Sequence, residues 1–301
     1  MKKVLVIAGP TASGKTALSV KLAHYFDGEI ISGDSTQVYK ELEIGTAKIT
    51  ENEKEDIPHY GLDLIHYYEN YSVKDFQTMA RQSIDKINAK QKLPIIAGGT
   101  GFYLKACLYD YEFTNEVEED NQFDELSNED IYEKLKQIDP KSLGKIHLNN
   151  RKRLIRALNI GLKGQTKSER EEAQEHKPIY DIFLIVTDIE KKIIDERIEQ
   201  RLNNMFEHGL MDEVIKYFSD PISWNYQSFQ AIGYKEWKDY FLNNVSLDEV
   251  KERVLISTRQ YAKRQLTWFR HQFSAYWYKP NEENEKLLLE DIKQWLNKET
   301  T

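Results

Sequence analysis

Residues 9–16 read Gly-Pro-Thr-Ala-Ser-Gly-Lys-Thr, the spacing G-x-x-x-x-G-K-T. This run follows the apolar residues 4–8 and precedes a segment with apolar residues at helical spacing, at Leu18, Leu22, Ala23 and Phe26. Strand, glycine loop and helix is the context in which that spacing builds a phosphate cradle. The glycines let several backbone N–H groups turn towards one anion, and the helix N-terminus adds its partial positive charge. Lys15 supplies a full charge, and the Thr16 hydroxyl is placed to hold Mg²⁺. The chain is predicted to bind a di- or triphosphate through Gly9, Pro10, Thr11, Ala12, Ser13, Gly14, Lys15 and Thr16. The loop alone does not say which molecule carries the phosphates.

Apolar runs at 4–8, 29–32, 93–97 and 181–186 alternate with helical patterns, of which 73–91 and 102–108 are clear. Strands separated by helices pair in parallel through right-handed crossovers. The expected class is therefore α/β, a P-loop NTPase-like parallel sheet flanked by helices with a small helical insertion. Ligands of such sheets bind at the carboxyl ends of the strands. Three strand ends here carry glycine or small polar residues, at 9–16, 33–37 and 98–101, and are expected to converge on one site. Residues 110–146 change character and read as the insertion, leaving 1–109 and 147–301 as the core with its C-terminal helices.

The 301-residue chain carries a net charge of −8, which by itself argues against a polyanionic partner. The distribution argues the other way. Residues 145–170 hold eight Lys and Arg against one acid, and 251–279 hold seven against one, while 112–133 hold ten acids and no Lys or Arg. Local patches matter more than the total for docking a polyanion; the alternative is solvated helix faces. The single cysteine, Cys107, excludes an internal disulfide and any Cys/His zinc spacing, and is expected to be a buried residue on a helix. No apolar run approaches the roughly 20 residues that span a bilayer, and the short run behind Met1-Lys2-Lys3 enters the glycine loop instead of forming a signal peptide. A cytoplasmic protein is expected.

Two features are unusual for a kinase or ATPase. The strand end Gly98-Gly99-Thr100-Gly101 lacks the acidic residue of a Walker B strand. The second strand runs into Gly33-Asp34-Ser35-Thr36-Gln37-Val38-Tyr39, which sets one carboxylate beside the phosphate site. Such an aspartate is compatible with a Mg²⁺ ligand, a helix cap or a general base.

These motifs occur in order with Ile44-Gly45-Thr46-Ala47-Lys48, Pro58-His59, the basic stretch after Asn150, Gln230-Ala231-Ile232-Gly233-Tyr234 and the segment 258–270, Thr-Arg-Gln-Tyr-Ala-Lys-Arg-Gln-Leu-Thr-Trp-Phe-Arg. Together the chain resembles the bacterial tRNA dimethylallyltransferases from residue 4 to about 279. The glycine loop is not specific to that family; the blocks after Asp34, Ile44 and Thr258 are. With one cysteine in these 301 residues, the zinc-finger extension of eukaryotic relatives is not expected.

The resemblance implies transfer of a dimethylallyl group from dimethylallyl diphosphate to N6 of the adenosine 3′ of the anticodon in tRNA, with Mg²⁺ and release of diphosphate. The loop would then hold the leaving diphosphate, with the Ser13 and Thr16 hydroxyls added to its N–H groups. Asp34 would act as general base, and Thr100 would contact the target base. The segments implied to bind the tRNA anticodon stem-loop contain Asp34, Ser35, Thr36, Gln37 and Thr100; Lys152, Arg153 and Arg156; Gln230, Gly233, Tyr234 and Lys235; and Lys263, Arg264 and Arg270. The cations would meet phosphates, and Tyr234 and Trp268 would stack on bases, with a place in the core the alternative for Trp268. A monomer without a membrane partner is expected. The runner-up readings are a nucleotide or small-molecule kinase and a nucleotide-sensing RNA-binding switch.

Overall fold

The computed structural model describes residues 1–113, 123, 125–164, 166–173 and 176–298. The first half supplies β1 (Lys3–Ala8), α1 (Lys15–Phe26), β2 (Gly28–Ser32), α2 (Glu51–Lys54), β3 (His59–Tyr60), α3 (Val73–Ala89), β4 (Leu93–Gly98) and α4 (Gly101–Leu108). Then come α5 (Asn128–Ile138), α6 (Pro140–Leu143), α7 (Arg151–Leu162) and α8 (Lys167–Ala173). The remainder supplies β5 (Asp181–Thr187), α9 (Lys191–Glu207), α10 (Leu210–Phe218), α11 (Lys238–Phe241), α12 (Leu247–Gln272), β6 (Tyr276–Tyr278) and α13 (Glu282–Asn297), with short 3₁₀ turns between α10 and α11.

The strands form one six-stranded sheet in the order β3-β2-β4-β1-β5-β6, with every neighbouring pair parallel. Side chains alternate faces with period two. Val4, Val6, Ile31 and Ile96 enter one apolar layer with α3, α4, α10 and α12, while Leu5, Ile7, Ile30 and Ile95 enter the other with α1 and α13. Both faces are thus covered, which is why the strands read as continuous apolar runs. The expected α/β sheet is present. Strands β3 and β6 were not anticipated, since two and three residues are too short to show a period. Cys107 is buried on α4, as expected, and burial pushes its thiol up to about 12.

Residues Met1–Tyr109 and Pro178–Thr301 form one compact unit, and Asp110–Lys177 form another. The boundary expected at 146 is therefore corrected: the second unit continues to Lys177 and includes the basic helix α7. The reason is apolar pairing, because α7 buries Leu154, Ala157 and Leu158 against Ile131 and Leu135 of α5. Part of the insertion, 114–122 and 124, lies outside the described residues. Within this unit the buried Asp139 accepts hydrogen bonds from Ser142 and Ser168, through both backbone and hydroxyl. Burial would raise its carboxyl, but those hydrogen bonds outweigh it and hold the group below the usual carboxylate range.

In the larger unit a second buried carboxylate organises a loop. Glu213 of α10 accepts from the backbone N–H groups of Glu43, Ile44 and Gly45 at 2.8, 2.8 and 2.9 Å, and from the Tyr234 hydroxyl at 2.8 Å. Removing this acceptor leaves the buried Tyr234 hydroxyl and three part-buried N–H groups without it, and an unsatisfied buried donor costs about 1–3 kcal/mol. Glu213→Ala is expected to lower unfolding stability by about 3 kcal/mol or more, read as a fall in the urea midpoint. A loss below about 0.5 kcal/mol, the size of an ordinary surface substitution, would show that solvent replaces these bonds without cost.

Candidate active site

Because β4 lies between β2 and β1, the three strand ends singled out from the sequence are spatial neighbours. All three contribute to one cavity of about 1120 Å³, lined by residues of 11–17, 34–37 and 97–99 and closed by side chains of α9 and α12.

The phosphate loop leaves β1 at Gly9, whose φ is +149°. A Cβ there would stand 2.1 Å from the Thr187 hydroxyl oxygen, so β5 approaches too closely for any side chain. Thr187 in turn meets the Ser13 hydroxyl at 2.6 Å, deep in the interior. The Ser13 hydroxyl thus has a partner on β5, and Ser13 also lines the cavity. Thr11, Ala12, Gly14, Lys15 and Thr16 line the cavity together with Ser13, while Gly9 and Pro10 stand behind them. Lys15 Nζ donates to the Pro10 carbonyl at 2.6 Å, folded over its own loop. Burial lowers its ammonium to about 8, the nearby Arg201 guanidinium adds to the shift, and the Asp34 carboxylate opposes it. Arg201 of α9 also donates to the Thr11 hydroxyl at 3.2 Å. A concave surface of loop N–H groups with two cations is a receptor for a dense negative charge.

Opposite the loop, Asp34 forms an Asx turn. Its Oδ1 accepts from the Thr36 backbone at 2.9 Å and from the Thr36 hydroxyl at 2.7 Å, while Oδ2 makes no hydrogen bond to any described residue. Thr36 therefore positions the aspartate. The Gln37 amide donates to the Ala47 carbonyl at 3.2 Å and accepts from Ser32 at 3.1 Å, tying the segment to the loop that Glu213 holds. Thr100 stands at the N-cap position of α4, is part-buried, and meets the Ser35 backbone N–H and hydroxyl at 3.3 and 3.4 Å. Two residues not assigned from the sequence complete the wall. Tyr261 lines the cavity, and burial followed by the Asp34 charge pushes its phenol up to about 12, against opposing interactions with Thr100 and Gln265. The buried Gln265 hydrogen-bonds both the phosphate loop and the end of β4. Their four-residue spacing on one helix face was readable; Arg201 and Thr187 carried no signal of their own.

The residues expected to meet RNA divide. Lys263, Arg264 and Arg270 are exposed on α12, with Arg264 5.9 Å from the Tyr261 ring and Arg270 5.5 Å from the Trp277 ring. Gln230 and Lys235 are exposed, and Gln230 and Gly233 line the cavity. Lys152, Arg153 and Arg156 are exposed on α7 of the second unit. Tyr234 is corrected: it is 0% exposed, packed against Gly45 and bonded to Glu213, so it shapes the loop and presents no stacking face. Trp268 is half-buried over Gly101 and packs edge-on to Phe269 and Phe273, which favours the core alternative.

The family model described as IPP transferase matches residues 37–272. The tRNA dimethylallyltransferase of Enterococcus faecalis is 43% identical over 98% of both chains. That of Anoxybacillus flavithermus is 44% identical over 92% of this chain and 90% of its own. Among solved structures, the tRNA isopentenylpyrophosphate transferase of Bacillus halodurans superposes with a TM-score of 0.76 at 36% identity, covering 98% of this chain and 97% of that one. A eukaryotic dimethylallyltransferase acting on tRNA reaches 0.84 at 29% identity, over 98% of this chain and 78% of that one. With the fold, the phosphate loop and these matches in agreement over nearly its whole length, the chain belongs to the IPP transferase family.

Proposed function

We propose that the chain transfers a dimethylallyl group from dimethylallyl diphosphate to N6 of the adenosine 3′ of the anticodon in tRNA, releasing diphosphate. The observation that carries this reading is a single cavity that holds a phosphate loop on one side and a carboxylate with an unengaged oxygen on the other. The relatives named tRNA dimethylallyltransferase support it. Apolar side chains of Ile198, Leu202, Met205, Val254 and Leu255 in the same cavity suit a five-carbon tail.

As the allylic C–O bond breaks, charge grows on the departing diphosphate. The loop N–H groups, Lys15 and Arg201 receive it in a fixed arrangement, which is the electrostatic contribution that usually dominates catalysis. The N6 amine forms the new C–N bond and releases its proton to Asp34 Oδ2, the oxygen that Thr36 leaves open. The apolar wall keeps water from the allyl carbon. A base stacked in an anticodon loop reaches such a site only when flipped out. The Thr16 hydroxyl is an oxygen donor that suits Mg²⁺, which takes few protein ligands and completes its shell with water and substrate phosphate. When bound there, Mg²⁺ would neutralise diphosphate charge. Thr100, beside Ser35 and the Asp34 loop, contacts the target base, and the exposed cations of α7 and α12 bind RNA phosphates. Action as a cytoplasmic monomer is part of this proposal; among the described residues no helix is long and apolar enough to cross a membrane.

The defining experiment incubates the protein with unmodified tRNA, dimethylallyl diphosphate and Mg²⁺, followed by nucleoside mass analysis. A gain of one five-carbon prenyl unit on adenosine is expected; phosphate transfer from ATP without prenylation would support a kinase instead.

Asp34→Asn retains shape but removes the proton acceptor, so kcat is expected to fall by about 10²–10⁴ with tRNA affinity within a few-fold. Near-normal turnover would remove Asp34 from the base role.

The lowered Lys15 sets a pH dependence. A bound diphosphate stabilises the ammonium, so binding takes up a proton once the free enzyme has lost it. Affinity for dimethylallyl diphosphate is expected to be level up to about pH 8 and to weaken above it, approaching tenfold per pH unit as one proton is linked to binding. Calorimetric titration between pH 7 and 10 checks this; a level profile would show that the Lys15 charge contributes nothing.

Neutralising Arg153 or Arg264 is expected to weaken tRNA binding and to reduce the slope of log K against log salt by about 0.7–1 per lost phosphate contact. Affinity for dimethylallyl diphosphate should not change. An unaltered salt slope would mark that helix face as merely solvated.

A further inference from the structure

Helix α12 has two faces with different audiences. Lys263 and Arg264 are exposed to solvent, and the next residue, Gln265, points inward and is 6% exposed. Its Oε1 accepts from the Thr11 backbone N–H of the phosphate loop at 2.9 Å, and its Nε2 donates to the Gly99 carbonyl at the end of β4, also at 2.9 Å. The fit leaves no slack. A Cβ at residue 99 would stand 2.2 Å from Gln265 Nε2, so the glycine there admits this amide. One turn earlier, Tyr261 interacts with both Thr100 and Gln265 and lines the cavity beside Asp34. No other described side chain hydrogen-bonds both the phosphate loop and the segment that carries Thr100.

We propose that Gln265 is a positioning residue that couples RNA binding to diphosphate binding, an inference that rests on the function proposed above. A buried amide that satisfies two backbone groups on different loops fixes their separation, because breaking either bond leaves a buried donor or acceptor unpaired. The helix bearing that amide also bears the cations that face solvent on the neighbouring positions. RNA that pulls on Lys263 and Arg264 therefore settles the angle of α12, and through Gln265 it settles the loop that receives the diphosphate. Each ligand then pays part of the ordering cost of the other, and the coupling is reciprocal.

The test measures the dissociation constant of inorganic pyrophosphate with Mg²⁺, in the absence and in the presence of a saturating anticodon stem-loop. The RNA carries purine in place of the target adenine, which has no N6 amine and cannot react. For the wild-type chain, RNA is expected to tighten pyrophosphate binding about fivefold or more, the lower end of ordinary coupling. In Gln265→Met, close in size but without either hydrogen bond, the factor should fall towards one, while the affinity for RNA alone changes less than about threefold. Gln265→Glu retains the acceptor for Thr11 and loses the donor for Gly99, and serves if the methionine variant fails to fold; its coupling should also fall. Folding of each variant is checked by its thermal midpoint. A variant that folds and keeps the wild-type factor overturns the proposal, as does a wild-type chain that binds RNA with no effect on pyrophosphate. Absence of RNA binding by the wild-type chain is a different failure, since it refutes the proposed function itself.

Discussion

Every strand of the sheet runs the same way, so every loop that leaves a carboxyl end emerges on one edge, and the strand order decides which of those loops touch. Placing β4 between β2 and β1 brings the glycine loop, the Asp34 turn and the Gly98–Thr100 segment together. The chain visits these strands in another order, crossing over between β1 and β2 before returning to fill the gap with β4. That leaves a crevice at the strand ends, where ligands of doubly wound sheets bind. Both apolar layers exist to hold this arrangement in place, and both depend on strands whose successive residues face opposite sides.

On this base the site is held by side chains that satisfy backbone groups. Glu213 fixes the 43–45 loop, Gln265 joins the phosphate loop to β4, Thr187 closes over Ser13, and Thr36 pins one oxygen of Asp34. None of these holds by bulk. Each works because a buried donor or acceptor without a partner is costly, which makes the alternative geometries unfavourable. Rigid support of this kind suits the proposed reaction, in which charge develops at two points at once, on the departing diphosphate and on the allyl carbon. Fixed donors need no reorganisation when that charge appears.

The electrostatic layout has the same logic at larger scale. The net charge is negative, yet exposed cations are gathered on α7 and α12. Lys15 and Arg201 place positive charge inside the cavity at the expense of solvation, and the lowering of Lys15 is the visible sign of that cost. A cavity that lowers its own lysine in this way favours an anion as its ligand.

Much of this was legible in the chain itself. The glycine loop and its flanking strand and helix, the four longer strands and most helices follow from local pattern, because backbone conformation and apolar periodicity are short-range properties. Asp34 was legible as a carboxylate at a strand end, and the cation-rich helices as dense runs of charge. What folding alone decided is which distant residues meet. Tyr234 looked like an aromatic available to RNA, but burial against Gly45 turned it into a support for a loop. Ser13 was legible as a phosphate-loop residue, and folding added a partner for its hydroxyl in Thr187 of β5. Basic α7 joined the second unit because its apolar stripe found α5, a choice that its charges did not reveal. Gln265 could be placed on an inward face by spacing, yet its two partners lie 254 and 166 residues away in the chain. Such pairings depend on strand order and close packing, which no local window of sequence contains.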